Sequence, residues 1–131
     1  MKRARGRTST PSAKRPAKTR PVASSLSKLV VSDTDTIQAA MMAIENNDHR
    51  SVVVVNAHGV AVGTVSDGDI RKSLLDGRLL ATPVHRVMNM DFIALTDSER
   101  SRAPGIFQEK HIFLIPLIDE RGKLLDVLTA Y

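Results

Sequence analysis

Two residues in the stretch GTVSDGDIRKSL, Gly63 to Leu74, have the types and the spacing to do chemistry: Ser66 and Asp69. They stand three apart, where an apolar run gives way to an amphipathic one, which is how a helix opens. At such a start the serine hydroxyl accepts from a helix amide and the carboxylate reaches back to the serine N–H, a capping box that needs no ligand. The same free amides and positive dipole end suit a phosphate, and a carboxylate suits the paired hydroxyls of a ribose. Gly68 lets a ligand approach the backbone, and Arg71 and Lys72 bring positive charge nearby. Local sequence leaves both readings open.

Other constellations carry less. His49, His58, His85 and His111 are scattered over turns and connectors with no i, i+4 pair, so no metal site is expected. The acidic run Asp67 to Asp69 lacks the further ligands and closing glutamate of an EF-hand loop. Ser66 lacks the frame of a nucleophile elbow. With no cysteine there is no thiolate nucleophile, disulfide framework or Cys-based metal site. Catalysis by this chain alone is not expected.

The elements that must position Ser66 and Asp69 are short and well punctuated. Leu29 to Val31 reads as a buried strand. Ile37, Ala40, Met41 and Ile44 fall on one face of a helix, with Asp35 and Gln38 spaced for a capping box at its start. SVVVVNAHGVAVGTV reads as two strands joined by a turn through Asn56 to Gly59. DGDIRKSLLDG reads as a helix with Gly77 as its stop. Thr82 and Pro83 open a connecting helical turn, and Met88 and Met90 are expected to pack it on the core.

A shift of 63 residues, taken without a gap, lays Gly122 on Gly59, Thr129 on Ser66, Asp97 on Thr34, Ala103 on Ala40 and Ile115 on Val52. The apolar pattern carries this match more than identities do. The fold class is therefore α/β (α+β): two βαββα repeats packed as a pseudo-symmetric pair, behind a disordered basic tail. The boundaries read as a tail over 1–25, repeat 1 over 26–80, a connector over 81–91 and a C-terminally incomplete repeat 2 over 92–131.

A tandem pair carrying GVAVGTVSDGDIRKSLLDG, TPVHRVMN and IPLIDERGKLLDVL resembles the cystathionine-β-synthase-type (CBS) domain pair, over about residues 26 to 131. The TPVHRVMN connector is most similar to pairs that precede sugar-phosphate nucleotidyltransferase domains. The resemblance implies a regulatory module with an adenosine ligand between its repeats: AMP, ADP, ATP or S-adenosylmethionine. It implies Asp69 on the ribose, Ser66 facing ribose or phosphate and Thr64 lending backbone, with Ile112 and Leu114 sandwiching the base. It also implies a homodimer built through IQAAMMAI and IRKSLL.

The second copy departs from the pattern. Its acidic partner to Thr129 would be residue 132, and its closing helix is missing, so the native polypeptide is expected to continue past Tyr131, with a catalytic domain there or in a separate enzyme. Pro104 and Gly105 stand where copy 1 has Met41 and Met42, so that helix should be kinked, shortened or started late. Phe113 replaces the residue that is Arg50 in copy 1. All four aromatics, Phe92, Phe107, Phe113 and Tyr131, lie in the second copy.

The net charge of +5 hides two polymers. Residues 1–25 hold eight of the nineteen basic residues and no acid, leaving eleven against fourteen, a net of −3, for the rest. Such a tail buries too little to offset the entropy of ordering. No signal peptide or membrane-spanning run is seen, so a cytoplasmic protein is expected. Two functions fit: a nucleotide-sensing regulator, or a ligand-free interaction scaffold whose tail binds nucleic acid or another polyanion.

Overall fold

Four consecutive valines, Val52 to Val55, suit a pleated surface better than a helix, because branching at Cβ restricts their rotamers. In the computed structural model, which describes residues 24–131, they fill the middle strand of a three-stranded sheet. A single turn, α1 (Ser24–Ser27), leads into β1 (Val30–Ser32), then α2 (Ile37–Asn47), β2 (Ser51–Val55), β3 (Ala61–Ser66) and α3 (Asp67–Leu75). β2 lies between β1, parallel to it, and β3, antiparallel. Val52, Val54 and Val65 pack with Ile37, Ala40 and Ile44 of α2 and Ile70 of α3. Val53 turns the other way, to Leu26, Leu29, Leu114 and Val127. Both faces of the strand are covered, which explains a valine run without polar alternation.

The second repeat is built more sparely. Leu95 makes one parallel bridge to Leu117 in place of a first strand. A 3-10 turn over Asp97–Arg102 runs into α4 (Ala103–Lys110), followed by the antiparallel pair β4 (Leu114–Ile118) and β5 (Leu124–Thr129). Leu95, Ala103, Ile115 and Leu117 form its core.

The offset of 63 holds through the strands. β4 and β5 are β2 and β3 displaced by it, and the left-handed residues repeat as well, Asp48 with His111 and Gly59 with Gly122. Where the halves meet, residues pair with their own counterparts. Val60 bridges Lys123, the Ala61 N–H donates to the Gly122 carbonyl at 3.0 Å, and the Leu124 N–H donates to the Gly59 carbonyl at 2.9 Å. Exchanging the two repeats turns one bond into the other, so a pseudo-two-fold axis passes through this bridge.

The gapless alignment fails ahead of α4. Asp97 opens its helical segment as Ile37 opens α2, an offset of 60, and three extra residues are taken up in the 3-10 turn. Pro104 thereby falls in the first turn of α4, where its missing N–H costs nothing. This is the late start among the three outcomes expected.

Other local expectations need correction. The α2 cap is Thr36, whose Oγ1 accepts from the Ala39 N–H at 3.1 Å, while Asp35 Oδ2 accepts from the Ser32 N–H. The connector holds that segment extended, through the Val84 N–H on the Asp35 carbonyl and the bridge of Thr36 to Pro83, so the helix opens one residue later. Met41 is 38% exposed, at the border of the buried face. In the connector, Val84–Arg86 form the expected short turn and Met88 packs on the core, but Met90 is 73% exposed.

Gly77, at φ +95°, follows the end of α3 as expected. The first element starts at Ser24, two residues ahead of the expected boundary. The expected disordered tail lies otherwise outside the described residues. Among the described residues no helix is long and apolar enough to cross a membrane.

Candidate nucleotide cleft

β3 ends at Ser66 and α3 begins at Asp67, so the strand-to-helix junction sits at the edge of the first sheet. Ser66 is extended, at φ −105° and ψ 166°, and caps the helix. Its Oγ accepts from the Asp69 N–H at 3.2 Å, and Asp69 Oδ2 accepts from the Ser66 N–H at 2.9 Å. The capping box is real, and it uses one carboxylate oxygen. Oδ1 of Asp69 has no hydrogen-bond partner among the described residues. The two sequence readings are thus compatible, because a carboxylate has a second oxygen to offer.

Ser66 and Asp69 line a cleft of about 260 Å³ between the repeats, together with Thr64, Asn89, Asp91 and, from the second repeat, Phe92, Ile112, Phe113 and Leu114. All five residues singled out in the sequence therefore reach one place. One detail differs from expectation. Thr64 has both backbone groups engaged by Asn89, its N–H donating at 3.0 Å and its carbonyl accepting at 2.8 Å, so the side chain is what it brings. Arg71 lines a separate groove between α2 and α3, and neither it nor Lys72 lines this cleft.

Sequence reasoning missed Asn89, Asp91 and Phe92. They sit at the end of the connector, and only the bridge of Asn89 to Thr64 brings them to the cleft. A polar Asn–x–Asp beside Phe92 was the available signal, but nothing local says which strand it meets.

Across the pseudo-two-fold axis lies a second cleft of about 430 Å³. Counterpart positions there carry different chemistry. His49 replaces Ile112 and Thr129 replaces Ser66, and Lys28 lines this cleft where no lysine or arginine lines the first. His49 stacks on Tyr131 with ring centroids 5.3 Å apart, and its Nδ1 is buried without a partner. Between the clefts the Arg50 guanidinium lies 5.6 Å from the centre of the Phe113 ring, so another counterpart pair meets near the axis.

Two small α/β repeats related by a pseudo-two-fold axis, with a cleft on either side of it, define a paired-repeat module. Residues 19–76 match the model of the CBS domain family, so the chain carries a CBS domain there. Solved structures agree on the fold. The CBS domains of a transcriptional regulator from Streptococcus pneumoniae superpose with a TM-score of 0.65 at 19% identity, covering 78% of this chain and 82% of that one. A CBS domain protein from Pyrobaculum aerophilum complexed with AMP gives 0.66 at 20% identity, covering 77% and 79%. Among curated proteins, the arabinose 5-phosphate isomerase GutQ of Escherichia coli K12 is 32% identical over 97 residues, 73% of this chain and 30% of the relative. The chain thus spans under a third of that relative's length. CBS domains are generally regulatory rather than catalytic.

Proposed function

We propose that this chain is a regulatory module that binds an adenosine-containing ligand in the first cleft and so modulates an attached or associated enzyme. The observation that carries the reading is Asp69. One of its oxygens is spent on the Ser66 N–H, and the other is left without a protein partner on a cleft whose second-repeat wall includes Ile112 and Leu114. Asp69 holds the ribose hydroxyls through Oδ1, Ser66 and Thr64 supply side-chain hydroxyls, and the two aliphatic residues cover the base. Because the wall and the anchor belong to different repeats, a ligand that bridges them favours one relative orientation, which is how binding biases a second protein domain. The AMP complex of the Pyrobaculum protein supports an adenosine ligand, and GutQ supports an enzyme that acts on a sugar phosphate. GutQ is named as an isomerase, so it supports the sugar-phosphate half of the sequence expectation and not the nucleotidyl transfer.

Asp69→Asn tests this, since asparagine keeps an oxygen for the Ser66 N–H while giving up the charge. Thermal unfolding is followed with AMP, ADP, ATP and S-adenosylmethionine. A ligand at a hundred times its Kd stabilises by about 2.7 kcal/mol, a shift on the order of 10 °C for a domain of this size. The expected result is a shift in the wild type that Asp69→Asn loses while its unliganded Tm holds. No shift with any of the four, or one that Asp69→Asn leaves intact, refutes the reading.

The module also forms a homodimer through α2 and α3 in this reading. Between those helices lies a groove of about 400 Å³ lined by Met41, Ile44, Ile70, Leu74 and Leu75, and Met42 and Leu75 are 60% and 82% exposed. Light scattering should give twice the 14.3 kDa chain mass, falling to one chain in Leu75→Glu. A monomeric wild type removes the dimer.

A further inference from the structure

The charges around the first cleft are lopsided. Its lining holds two carboxylates, Asp69 and Asp91, against one histidine, His111, and no lysine or arginine. Asp91 is fixed in place rather than carried on a loose end. Its N–H donates to Asn89 Oδ1 at 3.0 Å, and the Asn89 backbone is paired with Thr64 on β3.

Of the donors that would greet a phosphate, two backbone amides are committed, which leaves the Ser66 and Thr64 hydroxyls. At the start of α3, the Asp67 N–H donates to the Arg50 carbonyl at 2.9 Å and the Asp69 N–H to Ser66 Oγ. Two acids in the first turn, Asp67 and Asp69, already answer the helix dipole. The nearby cations stand outside the lining: Arg50 over the Phe113 ring, and Arg71 with Nη2 3.8 Å from where a Cβ on Gly68 would lie. Both are exposed, as is Asp91, so solvent and salt screen all three, but Asp91 alone of them lines the cleft. The second cleft has Lys28 in its lining, so a cleft of this fold accepts a cation as well as an acid.

We infer that the first cleft selects its ligand by charge: it takes an adenosine compound whose 5′ substituent is neutral or positively charged and turns away polyphosphates, and Asp91 is the residue that sets this limit. The inference rests on the adenosine reading of the cleft and narrows it. Adenosine and S-adenosylmethionine, with its sulfonium, meet Asp91 favourably or indifferently. Phosphate added at the 5′ end meets a carboxylate, with the Ser66 and Thr64 hydroxyls to offset it, and should weaken binding by about three- to tenfold in all for AMP and more for ATP.

Calorimetric titration of the full chain with adenosine, AMP, ATP and S-adenosylmethionine, at low and high salt, tests it. ATP is expected to bind at least about tenfold more weakly than adenosine at low salt, with the gap shrinking as salt rises. Asp91→Asn should narrow the gap and Asp91→Lys reverse it. The side chain is exposed, so neither variant should disturb folding. ATP binding as tightly as adenosine to the wild type, or a ratio that Asp91→Lys does not move, overturns the charge limit while leaving the adenosine site standing. No binding by any of the four compounds removes that site, and the limit with it.

Discussion

Gly63 and Met88 offer a sharp test of how the connector is locked to the cleft. A Cβ placed on Gly63 would stand 2.6 Å from Met88 Sδ, 2.8 Å from its Cγ and 3.1 Å from its Cβ. Ordinary contacts between such atoms fall at about 3.5–4.0 Å, so the Gly63→Ala methyl overlaps by about 1 Å. The thioether can swing away, but the Met88 Cβ is tied to a connector whose Met88 N–H donates to the Val84 carbonyl and whose next residue pairs with Thr64. Overpacking of this kind costs about 1–3 kcal/mol. Gly63 lies outside the positive-φ glycines, so alanine also recovers about 0.4–1 kcal/mol through the unfolded chain. The net loss should be about 1–2 kcal/mol, which lowers Tm by about 5–10 °C. Chemical denaturation of the wild type, Gly63→Ala, Met88→Ala and the double variant closes the cycle. With Met88 truncated, Gly63→Ala should become neutral or stabilising, giving a coupling of about 2 kcal/mol. If Gly63→Ala costs the same in both backgrounds, or nothing in either, the contact is not what holds the connector.

Two further outcomes follow from named contacts. Asn47 is buried at the end of α2, where Nδ2 donates to the Lys28 and Ser51 carbonyls at 2.9 and 3.0 Å and Oδ1 accepts from the His49 N–H at 2.7 Å. Asn47→Ala should cost about 2–3 kcal/mol by denaturant titration, and a loss under about 0.5 would show that water replaces the side chain freely. The Thr96 N–H donates to Glu99, and this bond first, then the Thr96 hydroxyl and Arg102, holds the Glu99 carboxyl below its ordinary value of 4.5. A depressed carboxylate contributes stability in full above that ordinary value and loses it as pH falls through the lower folded one. Glu99→Gln should flatten this part of the acid limb, and superimposable limbs for the two proteins would refute the coupling.

The repeat was legible because strands keep their own ledger of apolar positions. Val52 and Ile115 are both buried, as are Ala40 and Ala103, and the 63-residue offset reads directly from them. It was misread ahead of α4, since a gapless shift cannot see a loop dropped before one helix and a turn added within it. The Ser66 and Asp69 box was equally legible, being a contact between residues three apart. Asp35 failed by the same logic, because a long-range bond from Val84 decided where the helix began.

What the sequence determined by itself is therefore local: the valine strands, the helix cap at Ser66, a departure from a regular helix at Pro104, and the type of fold these short elements imply. What only tertiary structure decided is which residues share a space. The bridge of Val60 to Lys123 sets the two repeats about an axis, and the bridge of Asn89 to Thr64 brings Asp91 to the cleft. Such pairings join backbone groups distant in sequence, and backbone groups carry no side-chain signature by which a sequence could announce them.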